Sequence, residues 1–465
     1  MKRLSACIWC LMLIATTAVA YPTANGDLKL PTYKKVKLPN GMTLLLMEQH
    51  EVPVISFNFI VKAGSTADPA GKEGLASVTA ELLRKGTKTR TADQVSSELD
   101  FIGGELAANV NYDATTGSAE FIKKDMKTGF DILADTLLNP TFPQAEVTKL
   151  IKQRVDGIKA AKDRAQGVIG IYFAGYLYGN HLYGRPTQGS EKSLAAITQG
   201  DVAKFYQSWY TPANTILAVA GDFNSSEMEK MLTDKFGAWN AKGNTALKVT
   251  DAPAVQGKKL LLVDKPDATQ TFYMIGNLGI ARTNADRVYI NVVNTLFGGR
   301  FTSMLNSELR IQTGLTYGAR SNFEERKAKG AFIISTYTRN EKTEEAIDRT
   351  LNILKRLHEK GITEEELKSA KTYIKGLFPT SIETTDQLAA AIAQLEFFGL
   401  TEADINGLYA KIDAMTMQDA QRIIKEYYPL DNLVFVLIGK ASEIEKVAQK
   451  YAPKFDKKSI NQSGF

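Results

Sequence analysis

The residues of greatest chemical interest lie in one short segment, 74–83, whose pattern predicts a helix. In a helix, positions i, i+3 and i+4 share one face. Two histidines at i and i+4, with a glutamate at i+3, would hold a zinc ion and a base for its bound water. Those positions here are Ser77, Ala80 and Glu81. A hydroxyl, a methyl group and one carboxylate cannot form that site, so we expect these residues to be a degenerate zinc motif.

The size and composition of the chain limit the classes of protein to consider. Its 465 residues are too many for a single hydrophobic core and predict about two to four domains. Hydrophobic residues make up 44% and charged residues 23%, which is typical of a folded globular protein. The net charge is +6, and basic residues alternate with acidic ones. No basic stripe typical of nucleic-acid binding is therefore predicted.

Residues 1–20 have the pattern of a secretory signal peptide. Lys2 and Arg3 precede an apolar stretch, and small residues lead to a predicted cleavage after Ala20. Both cysteines of the chain, Cys7 and Cys10, lie in this segment, so we expect no disulfide and no cysteine nucleophile after processing. No later stretch reaches the roughly 20 apolar residues that span a bilayer. We therefore expect an exported, soluble protein.

The same order of elements occurs twice along the chain, which indicates an internal duplication. In each copy a capped helix is followed by an aromatic turn, an apolar strand and a glycine, and in the first copy an aspartate follows that glycine. The two copies are residues 198–222 and 416–440. Strands also precede helices in blocks, which favours antiparallel or mixed sheets with helices on one face. We predict an α+β fold with two homologous domains, 27–245 and 257–458, joined by a polar linker over 246–256.

The segment 74–87 resembles the catalytic motif of the insulinase/pitrilysin family, which includes mitochondrial processing peptidase. Catalytic members read Gly-x-Ala-His-x-x-Glu-His-x-x-x-x-Gly-Thr, and this chain retains the framework residues but not the histidines: Gly74, Ala76, Lys85, Gly86 and Thr87. The resemblance extends over nearly all of the chain after residue 20 and implies a clam-shell half. A further family zinc ligand is a glutamate on a later helix, here 153–159, which offers only Asp156. The resemblance thus implies no cofactor in this chain.

The second half retains an arginine and a tyrosine seven residues apart, as family members do; these are Arg310 and Tyr317. A helix over 303–310 capped by Ser303, followed by a strand over 315–319, is predicted to position them. The resemblance implies that Arg310 holds substrate oxygens and that Tyr317 donates a hydrogen bond to the oxyanion of the tetrahedral intermediate. A planar guanidinium and a fixed donor suit those two tasks. Without the resemblance, an exposed helix end and a core tyrosine are the favoured explanation of these two residues.

A third feature of the family is a sheet edge in the first domain to which the substrate adds a strand. It lies near a Gly-Gly-x-x-Asn-Ala segment, which here has alanine in place of the asparagine: Gly103, Gly104, Ala107 and Ala108. Main-chain hydrogen bonds make such binding tolerant of peptide sequence. We expect these residues to bind substrate through the backbone alone, because alanine cannot replace the hydrogen bonds of the asparagine side chain.

Bacterial heterodimers of this family pair a zinc-bearing subunit with a similar chain that lacks zinc but has the arginine and tyrosine. The resemblance implies that this chain is the second subunit of a periplasmic metalloendopeptidase, inactive alone, with zinc in the homologous partner and peptides as substrates. One alternative is a structural or peptide-binding subunit without a catalytic contribution. Another is an autonomous peptidase with an unusual metal site. No nucleic acid and no membrane span are expected.

Overall fold

The computed structural model describes residues 29–465, so the predicted signal peptide lies outside the described residues. Among those residues, no helix is long and apolar enough to cross a bilayer. The chain forms two sheets flanked by helices, one sheet in each half. The predicted α+β fold class is confirmed.

The first half contains a six-stranded sheet in the order β1-β2-β6-β3-β5-β4. Its neighbours are antiparallel except for β2 and β6, which run parallel. The outermost strand at one side, β4, pairs only with β5 among the described residues. The strands are β1 (Lys34–Lys37), β2 (Thr43–Glu48), β3 (Val54–Val61), β4 (Glu105–Val110), β5 (Thr115–Ile122) and β6 (Thr215–Gly221).

The second half contains a seven-stranded mixed sheet in the order β13-β7-β12-β8-β11-β10-β9. Strands β7 and β12 run parallel, as β2 and β6 do in the first sheet, which supports the internal duplication. The strands are β7 (Lys259–Asp264), β8 (Gln270–Leu278), β9 (Ile280–Ala281), β10 (Arg320–Arg326), β11 (Lys329–Arg339), β12 (Val434–Gly439) and β13 (Lys454–Ser459).

The helices follow the strands in blocks. The first half has α1 (Leu75–Leu82), α2 (Ala92–Phe101), α3 (Met126–Leu138), α4 (Gln144–Lys162), α5 (Ala165–Tyr178), α6 (Glu191–Ala195), α7 (Gln199–Trp209) and α8 (Ser225–Phe236). The second half has α9 (Arg287–Asn294), α10 (Met304–Asn306), α11 (Thr343–Lys360), α12 (Glu364–Leu377), α13 (Thr385–Phe398), α14 (Ala403–Asn406), α15 (Leu408–Ala414), α16 (Met417–Tyr427) and α17 (Ala441–Ala448).

Local signals explain where the equivalent helices α7 and α16 begin. Thr198 accepts a hydrogen bond from the backbone of Asp201, whose side chain in turn accepts from the backbone of Thr198. Thr416 and Asp419 form the same reciprocal pair before α16. Each pair satisfies two backbone donors that a helix start would otherwise leave free, and so fixes the boundary.

The two halves exchange one helix each. Helix α5 packs on strands β8 and β12 of the second sheet, whereas α13 packs on β3 and β6 of the first. Because of this cover, every residue of β6 and of β12 is buried. Each predicted domain therefore depends on a helix of the other to cover its sheet, and the halves interlock.

The region around Arg310 differs from the sequence-based prediction. Ser303 does cap a helix, as its hydroxyl accepts from the backbone of Asn306 at 3.4 Å, but α10 gives way to a π-helical turn, Ser307–Gln312. The predicted strand over 315–319 is wrong, because β10 begins only at Arg320. The hydroxyl of Thr316 exchanges hydrogen bonds with the backbone of Gly318, and this local turn replaces sheet pairing.

Candidate functional site

Helix α1 carries the three degenerate zinc positions, and retained framework residues fix its start. Gly74 has φ of 96°, a conformation that favours glycine, and a Cβ there would lie 2.9 Å from the backbone of Gly189. The carboxylate of Asp68 accepts hydrogen bonds from the backbone of Gly74 at 2.8 Å and of Ala76 at 2.7 Å. The helix is therefore positioned independently of any metal.

Asp68 gives this helix start a pH dependence. The residue is only 4% exposed, and burial raises the pKa of its carboxyl to about 7, against the opposing effect of the two backbone donors. Between the unfolded pKa of about 4 and the folded value, the folded state binds more protons than the unfolded state. The free energy of unfolding that Asp68 contributes should thus fall as pH rises through this window, and stay level above it.

We expect wild-type protein to lose about 2 kcal/mol more unfolding free energy than Asp68→Asn between pH 5 and pH 8. Urea unfolding at both pH values measures the difference. Replacing the exposed Asp234 by asparagine is the control for the loss of one carboxylate at the surface. Equal pH dependence in wild type and Asp68→Asn would contradict the assignment.

An arginine joins two of the three degenerate zinc positions, Ser77 and Glu81. Arg154 of α4 donates to the Glu81 carboxylate through Nη2 at 2.6 Å and Nε at 3.2 Å. The same guanidinium donates to the Ser77 hydroxyl at 2.9 Å and to the Ser77 carbonyl oxygen at 3.3 Å. The planar fork thus joins α1 to α4, with the Arg154 side chain 20% exposed and that of Glu81 40% exposed.

These residues do not fit a zinc ion. The only carboxylate among the three positions is paired with a cation, Ala80 has no donor atom, and a hydroxyl is a poor ligand for zinc. Residues 29–465 contain no group of three or more histidine, cysteine, aspartate or glutamate side chains that could hold a metal. No chemical step through a metal is assigned to this chain.

The three histidines lie elsewhere and contact other groups. His50 is paired with Asp222 at 2.7 Å, in a pocket that is also lined by residues of α8. His181 lies 2.8 Å from the carbonyl oxygen of Thr250, and His358 lies 2.6 Å from that of Tyr428. These contacts are those of structural residues.

A cavity of about 710 Å³ opens beside α1. One side of the cavity is formed by the degenerate zinc positions and the arginine that contacts them: Ser77, Ala80, Glu81 and Arg154. Strand β4 forms another side. Such a volume is within the range of binding sites for peptide fragments and small molecules. The degenerate motif therefore faces a space large enough for a ligand.

The predicted peptide-binding edge is partly at this cavity. Ala107 and Ala108 line it, whereas Gly103 and Gly104 lie before β4 in the preceding turn and do not. The carbonyl oxygen of Leu106 already accepts a hydrogen bond from the Arg84 side chain at 3.0 Å. An incoming strand would pair with the remaining outer backbone groups of β4 or displace the Arg84 side chain.

Arg310 and Tyr317 lie together but outside this cavity. The guanidinium carbon of Arg310 is 4.4 Å from the ring centre of Tyr317 and 4.8 Å from that of Phe301. This stack holds the arginine between two rings. Tyr317 is 74% exposed and Phe301 is 60% exposed, so this stack is accessible to another molecule.

The sequence analysis did not identify two residues that line this cavity, Arg154 and Phe465. Arg154 lies on the helix where the resemblance implies a carboxylate ligand. A basic residue at that place in the sequence could have indicated that a cation replaces the metal. Phe465, more than 300 residues from α1, lines the same cavity and carried no local signal.

Two protein-family models match most of the chain, and the second of them begins within the first half. Residues 44–186 match the model described as insulinase (peptidase family M16), and residues 196–374 match the one described as peptidase M16 inactive domain. An uncharacterized zinc protease of Rickettsia bellii is 27% identical over 340 residues, covering 73% of this chain and 81% of that protein. The uncharacterized zinc protease YmxG of Bacillus subtilis is 24% identical over 402 residues, covering 86% and 96%.

Solved structures show the same fold. A peptidase M16 inactive-domain protein from Pseudomonas fluorescens has a TM-score of 0.83 at 22% identity, over 88% of this chain and 98% of that chain. The periplasmic protease PqqL from Escherichia coli has a TM-score of 0.72 at 17% identity, over 92% of this chain but only 51% of that chain. The fold of this protein thus corresponds to about half of PqqL.

Proposed function

The chain belongs to the insulinase family of M16 peptidases, and we propose that it is the zinc-lacking subunit of a heterodimeric zinc peptidase. In this proposal Arg310 holds oxygens of the peptide substrate and Tyr317 stabilises the oxyanion. A homologous partner carries the zinc.

The exposed pair of Arg310 and Tyr317 is the main support for this proposal. Tyr317 is 74% exposed and stacked on the Arg310 guanidinium, so the side chain is oriented by a charged neighbour and is accessible to another molecule. Within the chain the pair does not share the cavity of the degenerate motif. Its groups are instead available to a second molecule, where a fixed donor and a cation would stabilise developing negative charge.

The degenerate motif supports a division of labour between two chains. Arg154 neutralises the one carboxylate left on α1 and holds α1 and α4 together without a metal. Water activation must then occur elsewhere, on the partner's zinc, if peptides are hydrolysed. The match to only half of the length of PqqL is consistent with a second unit of similar size.

We further propose that the protein is exported to the periplasm after cleavage of residues 1–20. The charged start, the apolar stretch and the small residues up to Ala20 support this location.

The proposal is tested by purifying the processed chain alone and together with an M16 homologue of the same organism that has the intact zinc motif. Alone, the chain should hold no stoichiometric zinc and hydrolyse no quenched fluorescent peptide. The mixture should elute as a heterodimer and cleave such peptides faster than the homologue alone. Hydrolysis by the isolated chain, or a homologue whose activity is unaffected by it, would contradict the proposal.

The second candidate function is a peptide-binding subunit without a catalytic contribution. The cavity beside β4 favours it, because that cavity is complete within this chain and needs no partner residue. Normal turnover after replacement of both Arg310 and Tyr317 would support this function over the catalytic one.

A further inference from the structure

A segment of the second half enters the cavity of the first half. It follows β13, the strand at the outer edge of the seven-stranded sheet. The backbone of Ile460 donates to the carbonyl oxygen of Asp264 at 3.0 Å, and its side chain is 3% exposed. Residues 461–465 then continue from this anchored position to the wall of the cavity that also contains Ser77 and Arg154.

A buried ion pair holds the backbone of this segment. Lys162 at the end of α4 lies 2.6 Å from Glu191 of α6, and the lysine is only 7% exposed. Lys162 also donates to the carbonyl oxygen of Gln462 at 2.7 Å, while Glu191 accepts from the backbone of Gly464 at 3.0 Å. Both charges therefore bind main-chain atoms, which any peptide possesses.

The side chain at the end of the segment is held by aromatic contacts. The Phe465 ring meets Tyr172 of α5 edge-on, with ring centres 5.4 Å apart. The Lys162 ammonium lies 5.2 Å from the centre of the same ring. Tyr172 is buried, so the phenylalanine occupies a defined aromatic position on the cavity wall.

We propose that this position is a binding subsite for an aromatic side chain of a peptide, and that the chain's own 461–465 segment occupies it in competition with the peptide. Lys162 and Glu191 hold the peptide main chain, and Tyr172 selects an aromatic residue. The proposal rests on the proposed function in that it takes the cavity to be a peptide site. It adds the class of peptide that is bound and a built-in competitor.

The probe for this subsite is a fluorescein-labelled synthetic peptide with the sequence of residues 458–465, Lys-Ser-Ile-Asn-Gln-Ser-Gly-Phe. Fluorescence anisotropy measures its binding to full-length wild type, Phe465→Ala and Phe465→Tyr. A tethered competitor acts at a high effective concentration, so Phe465→Ala should bind the probe at least about 10-fold more tightly than wild type. Phe465→Tyr is the matched control and should remain near wild type, because tyrosine keeps the aromatic ring that contacts Tyr172 and Lys162. A probe with alanine in place of its phenylalanine should not bind.

A second measurement uses the unmodified protein and does not depend on how Phe465→Ala folds. Saturating probe should displace the segment and speed amide hydrogen exchange at Gly464, whose N–H is bonded to Glu191. Equal probe affinity in all three proteins, with unchanged exchange at Gly464, would overturn the proposal. Neither measurement needs a partner or catalytic turnover. The subsite can therefore be confirmed even if partner-dependent hydrolysis is not observed, and hydrolysis can be observed even if the subsite is disproved.

Discussion

Replacing Tyr317 by phenylalanine should lower the turnover number of the proposed heterodimeric peptidase by about 100-fold, with little change in KM. The substitution removes one hydroxyl and keeps the ring, so the stack on Arg310 at 4.4 Å can persist. An oxyanion donor acts only where charge develops, and its loss therefore changes the chemical step more than substrate binding. Steady-state hydrolysis of a quenched peptide by the heterodimer, with assembly checked by size-exclusion chromatography, gives both constants.

The chain offers a matched control for this substitution. Tyr373 is 41% exposed and lies beneath Arg300, with 5.9 Å between the guanidinium carbon and the ring centre. This pair is also a tyrosine stacked on an arginine, but it does not lie at the positions that the family resemblance identifies as catalytic. Tyr373→Phe should leave turnover unchanged. If Tyr317→Phe has full activity as well, Tyr317 has no catalytic role and the peptide-binding function is favoured.

Zinc binding should appear when three side chains are changed together: Ser77→His, Glu81→His and Arg154→Glu. Positions 77 and 81 are one helical turn apart, and Arg154 contacts both, so two imidazoles and a carboxylate would converge on the space that the guanidinium fills. We expect the variant to bind one zinc per chain at about micromolar metal, and zinc to raise its melting temperature. Metal analysis after gel filtration and thermal unfolding with and without zinc measure these effects.

The double variant Ser77→His, Glu81→His tests whether Arg154 itself replaces the metal. This variant has both imidazoles but keeps the positively charged Arg154 guanidinium between them. Its zinc affinity should therefore be at least about 10-fold weaker than that of the triple variant. If both variants bind zinc equally, the guanidinium can move aside and does not take the place of the ion. The control shares the two new histidines and differs only at position 154.

Local features were predictable because neighbouring residues determine them. The capping pairs at Thr198 and Thr416 fix their helices through contacts within three residues. The degenerate motif is equally local, because helix geometry alone places positions 77, 80 and 81 on one face. The strand predicted at 315–319 failed for the converse reason: a strand needs a partner, and there the Thr316 hydroxyl bonds its own backbone instead.

The sequence by itself determined that this protein is a duplicated α+β chain whose zinc ligands are absent, because residue type and short-range spacing decide both. Only the tertiary structure decided what stands in their place. Arg154 reaches Ser77 across 77 residues, α5 and α13 cover each other's sheets, and the segment at Phe465 reaches a cavity built in the first half. Such contacts depend on how packed elements meet in space, and residue spacing along the chain does not encode that directly.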